Sequence, residues 1–110
     1  GKDGHIGFNE PGSSSKSRTR EVLLSRITRK DNSRFFDGKI SKVPKKALTV
    51  GIGTIMKSKK IILLASGVSK AKIVHRFLHG SIDKNIPASF LKKHRNITVI
   101  LDKEAASELD

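Results

Sequence analysis

Two largely apolar segments constrain this chain more than any other feature. Lys60 to Ser66 (Lys-Ile-Ile-Leu-Leu-Ala-Ser) reads as a parallel strand covered on both faces, and Asn96 to Leu101 (Asn-Ile-Thr-Val-Ile-Leu) as a second buried strand. Between them Gly67-Val68 turns the chain. Ser69 can cap a helix running to His79, with Ala71, Val74, Phe77 and Leu78 on one face and Gly80 as its stop. Pro87 suits the first position of a short helix to about Lys93. Upstream, Ala47 to Val50 reads as a short buried strand and Thr54 as the N-cap of one helical turn through Lys57; Thr19 to Ile27 is a short strand or an irregular segment. Asp102 to Leu109 reads as a closing helix. Strand, helix, strand, helix with glycine-marked turns predicts an α/β fold with a mainly parallel sheet. Only about three strands are present where a sheet usually has five or six, so residues 1–110 are expected to be part of a single domain whose N-terminal half is missing.

Charge and composition narrow the function classes. The 110 residues carry 23 Lys or Arg against 10 Asp or Glu, a net charge of +13, and 35% are hydrophobic, which permits a lean core. The absence of Cys excludes disulfide scaffolds, Cys-based zinc sites and thiol nucleophiles. No apolar run approaches the roughly 20 residues of a membrane span. The opening Gly1-Lys2-Asp3-Gly4-His5 has neither an initiator Met nor a signal-peptide layout, so the chain reads as cut from something longer, and a cytoplasmic location is expected. The surplus charge suggests a polyanionic partner, densest between Lys16 and Lys46. The five Phe do not alternate with basic residues as a stacking strip would, and zinc-finger, RNP and GXXG patterns are absent. A solvated Lys-rich surface is therefore preferred to a nucleic-acid-binding domain, with no membrane partner.

Three places could carry chemistry. In Asp3-Gly4-His5-Ile6-Gly7-Phe8-Asn9-Glu10-Pro11 two carboxylates flank one imidazole on a glycine-rich loop. If that segment is extended, Asp3 and His5 point the same way and Glu10 can hold the other side of the ring, the layout of a proton shuttle. A polar loop with a satisfied histidine fits the same spacing. Gly67-Val68-Ser69-Lys70 follows the best strand and opens a helix, so backbone N–H groups and a Lys converge where an anion could sit; an ordinary capped helix fits equally. Arg34, beside Phe35 and Phe36, is either an anion fork or a surface residue. His75 and His79 form an i,i+4 pair with no evident third ligand, so no metal site is expected.

Beyond spacing, the residues carry a resemblance. Asp-Gly-His-Ile-Gly-Phe-Asn-Glu-Pro-Gly-Ser-Ser at 3–14 resembles the signature loop of glucosamine-6-phosphate deaminases (glucosamine-6-phosphate isomerases). The likeness continues through Ser17-Arg18-Thr19-Arg20, Asn32-Ser33-Arg34-Phe35-Phe36, Val43-Pro44-Lys45, Ala47 to Thr54, and Gly67-x-x-Lys70-Ala71, in order over most of the chain. The 6-phosphogluconolactonases share the Asp-Gly-His start but typically continue Thr-Ala-Ser-Leu-Phe-Pro, which makes Glu10 the discriminating residue.

The resemblance implies a Rossmann-like three-layer α/β sandwich and conversion of glucosamine 6-phosphate and water into fructose 6-phosphate and ammonia, without metal or other cofactor. It implies that His5 takes and returns the proton at ring opening, that Asp3 and Glu10 hold and tune it, and that Arg34 and Lys70 bind the phosphate. The family's enolising Asp and its first phosphate loop would lie upstream of Gly1. A homo-oligomer is expected. Ser13 and Arg20 match an allosteric effector site seen in some members, whereas Val22 stands where such members have Lys. His94-Arg95 departs from the family's common His-Pro. A nucleic-acid-binding domain and a lactone hydrolase on the same fold are the alternatives.

Overall fold

The computed structural model describes residues 1–109. Its frame is the parallel pair β3 (Ile61–Ala65) and β4 (Ile97–Leu101), in register from Ile61 opposite Ile97 to Ala65 opposite Leu101. The crossover between them is α3 (Ala71–His79), preceded by a 3-10 turn at Val68–Lys70 and followed by a 3-10 stretch at Pro87–Lys93. Earlier in the chain, β1 (Arg20–Leu23) and β2 (Lys46–Thr49) form a separate antiparallel pair, with Arg20 opposite Thr49. The short helices α1 (Arg26–Asn32) and α2 (Ile52–Met56) complete the regular elements. The α/β class and the parallel β3–β4 pair are as the sequence predicts.

Burial follows the pleat. Ile61, Leu63 and Ala65 of β3 and Ile97, Val99 and Leu101 of β4 turn inward, against α3 and the 87–93 stretch. There Ile61, Phe77, Ala88 and Leu91 form the core, with Ile6, Ile55 and Met56 packed against it. Each large side chain fully withdrawn from water there, such as Phe77 or Leu91, stabilises the fold by about 1.5–3 kcal/mol before ordering costs. The sequence predicts strands covered on both faces. Among the described residues one face is bare: Ile62, Leu64 and Ile100 are 56%, 69% and 53% exposed.

Three local expectations change. Ser69 does not cap α3; the helix instead starts from Lys70 without a side-chain cap and buries Ala71, Ile73, Val74 and Phe77, with Leu78 partly exposed. Likewise α2 begins two residues before Thr54, from Gly51, whose N-cap geometry leaves the Ile52 N–H to the Ser17 hydroxyl. Residues 102–109 form a run of turns rather than a helix. Their hydrogen bonds mix Ala106 N–H to Asp102 with the tighter Ser107 to Glu104 and Leu109 to Ala106, and so few bonds do not offset helix nucleation.

Candidate functional site

The glycine-rich loop folds back on itself instead of extending. Gly4 has φ +78° and donates its N–H to the Gly1 carbonyl. A Cβ there would come 2.8 Å from Ile86 Cγ2, so both backbone and packing require glycine. Gly7, at φ +58°, turns its carbonyl onto the His5 ring, 2.7 Å from Nδ1. A carbonyl only accepts, so Nδ1 carries a proton, and in the neutral ring it is Nε2 that has the free lone pair. The space in front of Nε2 is kept open by Gly1, where a Cβ would lie 2.3 Å from that nitrogen.

The two carboxylates therefore do not grip the ring as an extended strand would have them do. Asp3 Oδ1 accepts the backbone N–H of His5 at 3.2 Å, a local Asx-type turn. Glu10 reaches the start of α1. It accepts the Ser25 N–H at 2.9 Å, the Ser25 hydroxyl at 2.8 Å and the Thr28 hydroxyl. Partial burial pushes the Glu10 carboxyl up. The Thr28 and Ser25 hydrogen bonds outweigh it, with a further contribution from the nearby His5 when charged, and hold Glu10 below the ordinary glutamate value. Asp3 and Glu10 do share one side of the loop, lining a common hollow, and Asp3 and His5 line another.

Behind the loop sits a residue that sequence reasoning did not single out. Asn9 is fully buried (0% exposed); its Nδ2 donates to the Ile6 and Val50 carbonyls at 2.8 and 2.7 Å, and its Oδ1 accepts from Arg20 Nη1 at 2.8 Å. Thr49 adds a second brace, accepting the Phe8 N–H at 3.0 Å. The available signal was an Asn inside the glycine-rich loop for the first and a lone hydroxyl within Ala47-Leu48-Thr49-Val50 for the second. For Ser25 and Thr28 it was the Ser-x-x-Thr start of α1, where Ser25 caps Thr28 N–H.

Lys70 joins His5 in one cleft of about 130 Å³, walled by Leu63, Leu64 and Ala65 at the carboxyl end of β3. That is where open α/β sheets take ligands. Arg34 is not among the residues lining this cleft; it is exposed, with its guanidinium 4.8 Å over the Phe35 ring. The Gly67 N–H expected to be free for an anion is taken by the Asp102 carboxylate at 3.0 Å. Ser13 donates its hydroxyl to the Glu10 carbonyl at 2.6 Å and Arg20 serves Asn9, so both are tied into the loop. His75 and His79 lie against each other with ring centroids 4.8 Å apart and planes tilted by 43°, and among the described residues no three His, Cys, Asp or Glu gather as metal ligands. No helix among them is long and apolar enough to cross a membrane.

Comparison with known proteins gives this geometry a context. Residues 1–100 match the family described as glucosamine-6-phosphate isomerases/6-phosphogluconolactonase. Glucosamine-6-phosphate deaminase 1 of Bacillus subtilis is 56% identical over 97% of this chain and 44% of its own length. The glucosamine-6-phosphate deaminase of Mycolicibacterium smegmatis is 51% identical over 99% of this chain and 42% of its own. A solved structure described as a monomeric glucosamine-6-phosphate deaminase, a missing link of the NagB superfamily, superposes with a TM-score of 0.93 at 56% identity, covering 98% of this chain and 44% of that one. The chain thus spans under half the length of the relatives it matches.

Proposed function

The chain belongs to the glucosamine-6-phosphate isomerase/6-phosphogluconolactonase family, and from that membership we propose that the protein carrying it is a glucosamine-6-phosphate deaminase. It converts glucosamine 6-phosphate and water into fructose 6-phosphate and ammonia by ring opening, aldose–ketose isomerisation and deamination. The observation that carries this reading is the His5 ring, anchored at Nδ1 with Nε2 free, in the same cleft as the Lys70 ammonium. Nε2 accepts the proton of the anomeric hydroxyl and returns it to the ring oxygen as the pyranose opens. Lys70 attracts the phosphate by charge. Asp3 holds the His5 backbone, while Glu10, kept ionised by Ser25 and Thr28, favours the protonated imidazole that forms in between. Arg34 belongs to the phosphate site in this reading, which requires its exposed side chain to swing inward. Ser13 and Arg20, tied to the loop, are where an effector would act. The base that moves a proton between C2 and C1 is not assigned within residues 1–110.

The reading needs no cofactor and places the protein in the cytoplasm with a small sugar phosphate as its partner. A homo-oligomer, the sequence expectation, is weighed against by the description of the 56%-identical structure as monomeric; size-exclusion chromatography of the intact protein decides. The test of function is ammonia release from glucosamine 6-phosphate by the intact protein. His5→Gln should lower turnover by at least about a hundredfold, the usual scale of a lost acid–base group. Near-normal turnover in that variant, or acid release from 6-phosphogluconolactone instead of ammonia from the amino sugar, overturns the proposal.

A further inference from the structure

We propose that the basic hollow at the amino ends of β3 and β4 binds a small molecule carrying two or three linked phosphates. The hollow, about 410 Å³, is lined by Lys57, Lys59, Lys93 and Arg95 with no carboxylate among its lining residues. Neither ion pair found among the described residues, Lys42 with Asp37 or Lys46 with Glu21, involves any of the four. Neighbouring Lys92, by contrast, is already engaged with the Gly80 carbonyl.

The hollow has a fixed floor. Two connections meet there, one from α2 into β3 and one from the 87–93 stretch into β4. His94 ties them together: Nε2–H donates to the Ser58 carbonyl at 2.6 Å, and Nδ1 accepts the Asn96 N–H at 3.0 Å. Ser58 is in turn held by its hydroxyl to the Ile55 carbonyl at 2.7 Å. With both ring nitrogens committed, His94 is a strut, and the four cations are arrayed around it. Held together without counter-charge they repel, and an oligoanion relieves that repulsion.

The lining also selects the ligand class. Apart from His94, whose two ring nitrogens are both committed, it has no aromatic side chain, and it has no carboxylate to accept from a sugar hydroxyl or an amine. What remains to be recognised is phosphate oxygen. A single phosphate would match fewer than four cations, and the volume accommodates a short chain of them. The site is independent of the His5–Lys70 cleft, since the five-residue strands separate their two ends by about 13 Å at roughly 3.3 Å per residue.

The test is calorimetric titration of the intact protein with inorganic tripolyphosphate, orthophosphate and a single-stranded oligonucleotide. Tripolyphosphate should bind more tightly than orthophosphate. The double variant Lys59→Glu/Lys93→Glu should weaken it at least about tenfold, while Lys39→Glu/Lys103→Glu, with the same change in net charge, should change it less than about twofold. Should the first pair disturb the circular dichroism, Lys57→Gln/Arg95→Gln is expected to weaken tripolyphosphate binding without doing so. Equal losses in the site and control variants overturn the proposal by reducing the effect to overall charge. So does an absence of tripolyphosphate binding, or an oligonucleotide that binds through these residues where tripolyphosphate does not.

Discussion

Replacing Asn9 by Asp changes one group and almost no volume, yet it should destabilise the protein in a pH-dependent way. In the native loop Asn9 Nδ2 donates to the Ile6 and Val50 carbonyls. In Asn9→Asp both donors vanish and an anionic oxygen faces two carbonyl oxygens at a fully buried position. Two lost hydrogen bonds cost about 1 kcal/mol each, and the buried repulsion adds about 2 more, partly offset by stronger pairing with Arg20. The net loss is about 3 kcal/mol near neutral pH. The new carboxyl group is held above its unfolded value of about 3.9, so the penalty is complete at pH above its folded value. As pH falls toward about 3.5 the group protonates, can donate one bond again, and the deficit should shrink to about 1 kcal/mol. Urea unfolding of the intact protein and the variant in parallel, near pH 7 and near pH 3.5, measures both figures. A deficit equal at the two pH values, or none at all, would refute the assigned role of Asn9.

Thr28→Val removes one of three donors to Glu10, so the Glu10 carboxyl should titrate at higher pH by carbon-13 NMR, with a stability loss of about 1 kcal/mol at neutral pH. Because folding depresses the Glu10 value, its contribution is present above the unfolded value of 4.5 and is lost as pH falls through the folded one, so wild type and Thr28→Val should converge in strong acid. Gly4→Ala combines a positive φ with a Cβ 2.8 Å from Ile86 and should cost about 2–4 kcal/mol in thermal or urea unfolding. Lys70→Ala should raise KM for glucosamine 6-phosphate about tenfold or more with a smaller change in kcat; an unchanged KM removes Lys70 from the phosphate site.

The parallel pair and its helix were legible because Ile61 to Ala65 is apolar without interruption, Ile97 to Leu101 is broken only by Thr98, and Gly67 and Gly80 bracket the connecting helix. Boundaries were not. Thr54 and Ser69 have the right side chains to cap, but the backbone enters each helix elsewhere. The loop showed its chemistry but not its geometry. Asp3, His5 and Glu10 stood out by type, whereas the turns at Gly4 and Gly7 decide which atoms they meet. Those turns send Asp3 to a backbone N–H and Glu10 across to Ser25 and Thr28, fifteen and eighteen residues along the chain. No local pattern encodes a partner at that distance. Arg34 illustrates the same gap, since an exposed cation resting on Phe35 and one aimed at a phosphate have identical neighbours in sequence.

The uncovered side of the β3–β4 pair governs how residues 1–110 behave when handled on their own. Ile62, Leu64 and Ile100 form a greasy strip on a ribbon only two strands wide, with unpaired backbone along both margins. In water such a strip is adhesive, and a net charge of +13 supplies the main force keeping copies apart. Added salt screens that force while leaving the strip untouched. Preparations of this segment alone therefore keep best in dilute, low-ionic-strength buffer, the reverse of the usual remedy for a highly basic polypeptide.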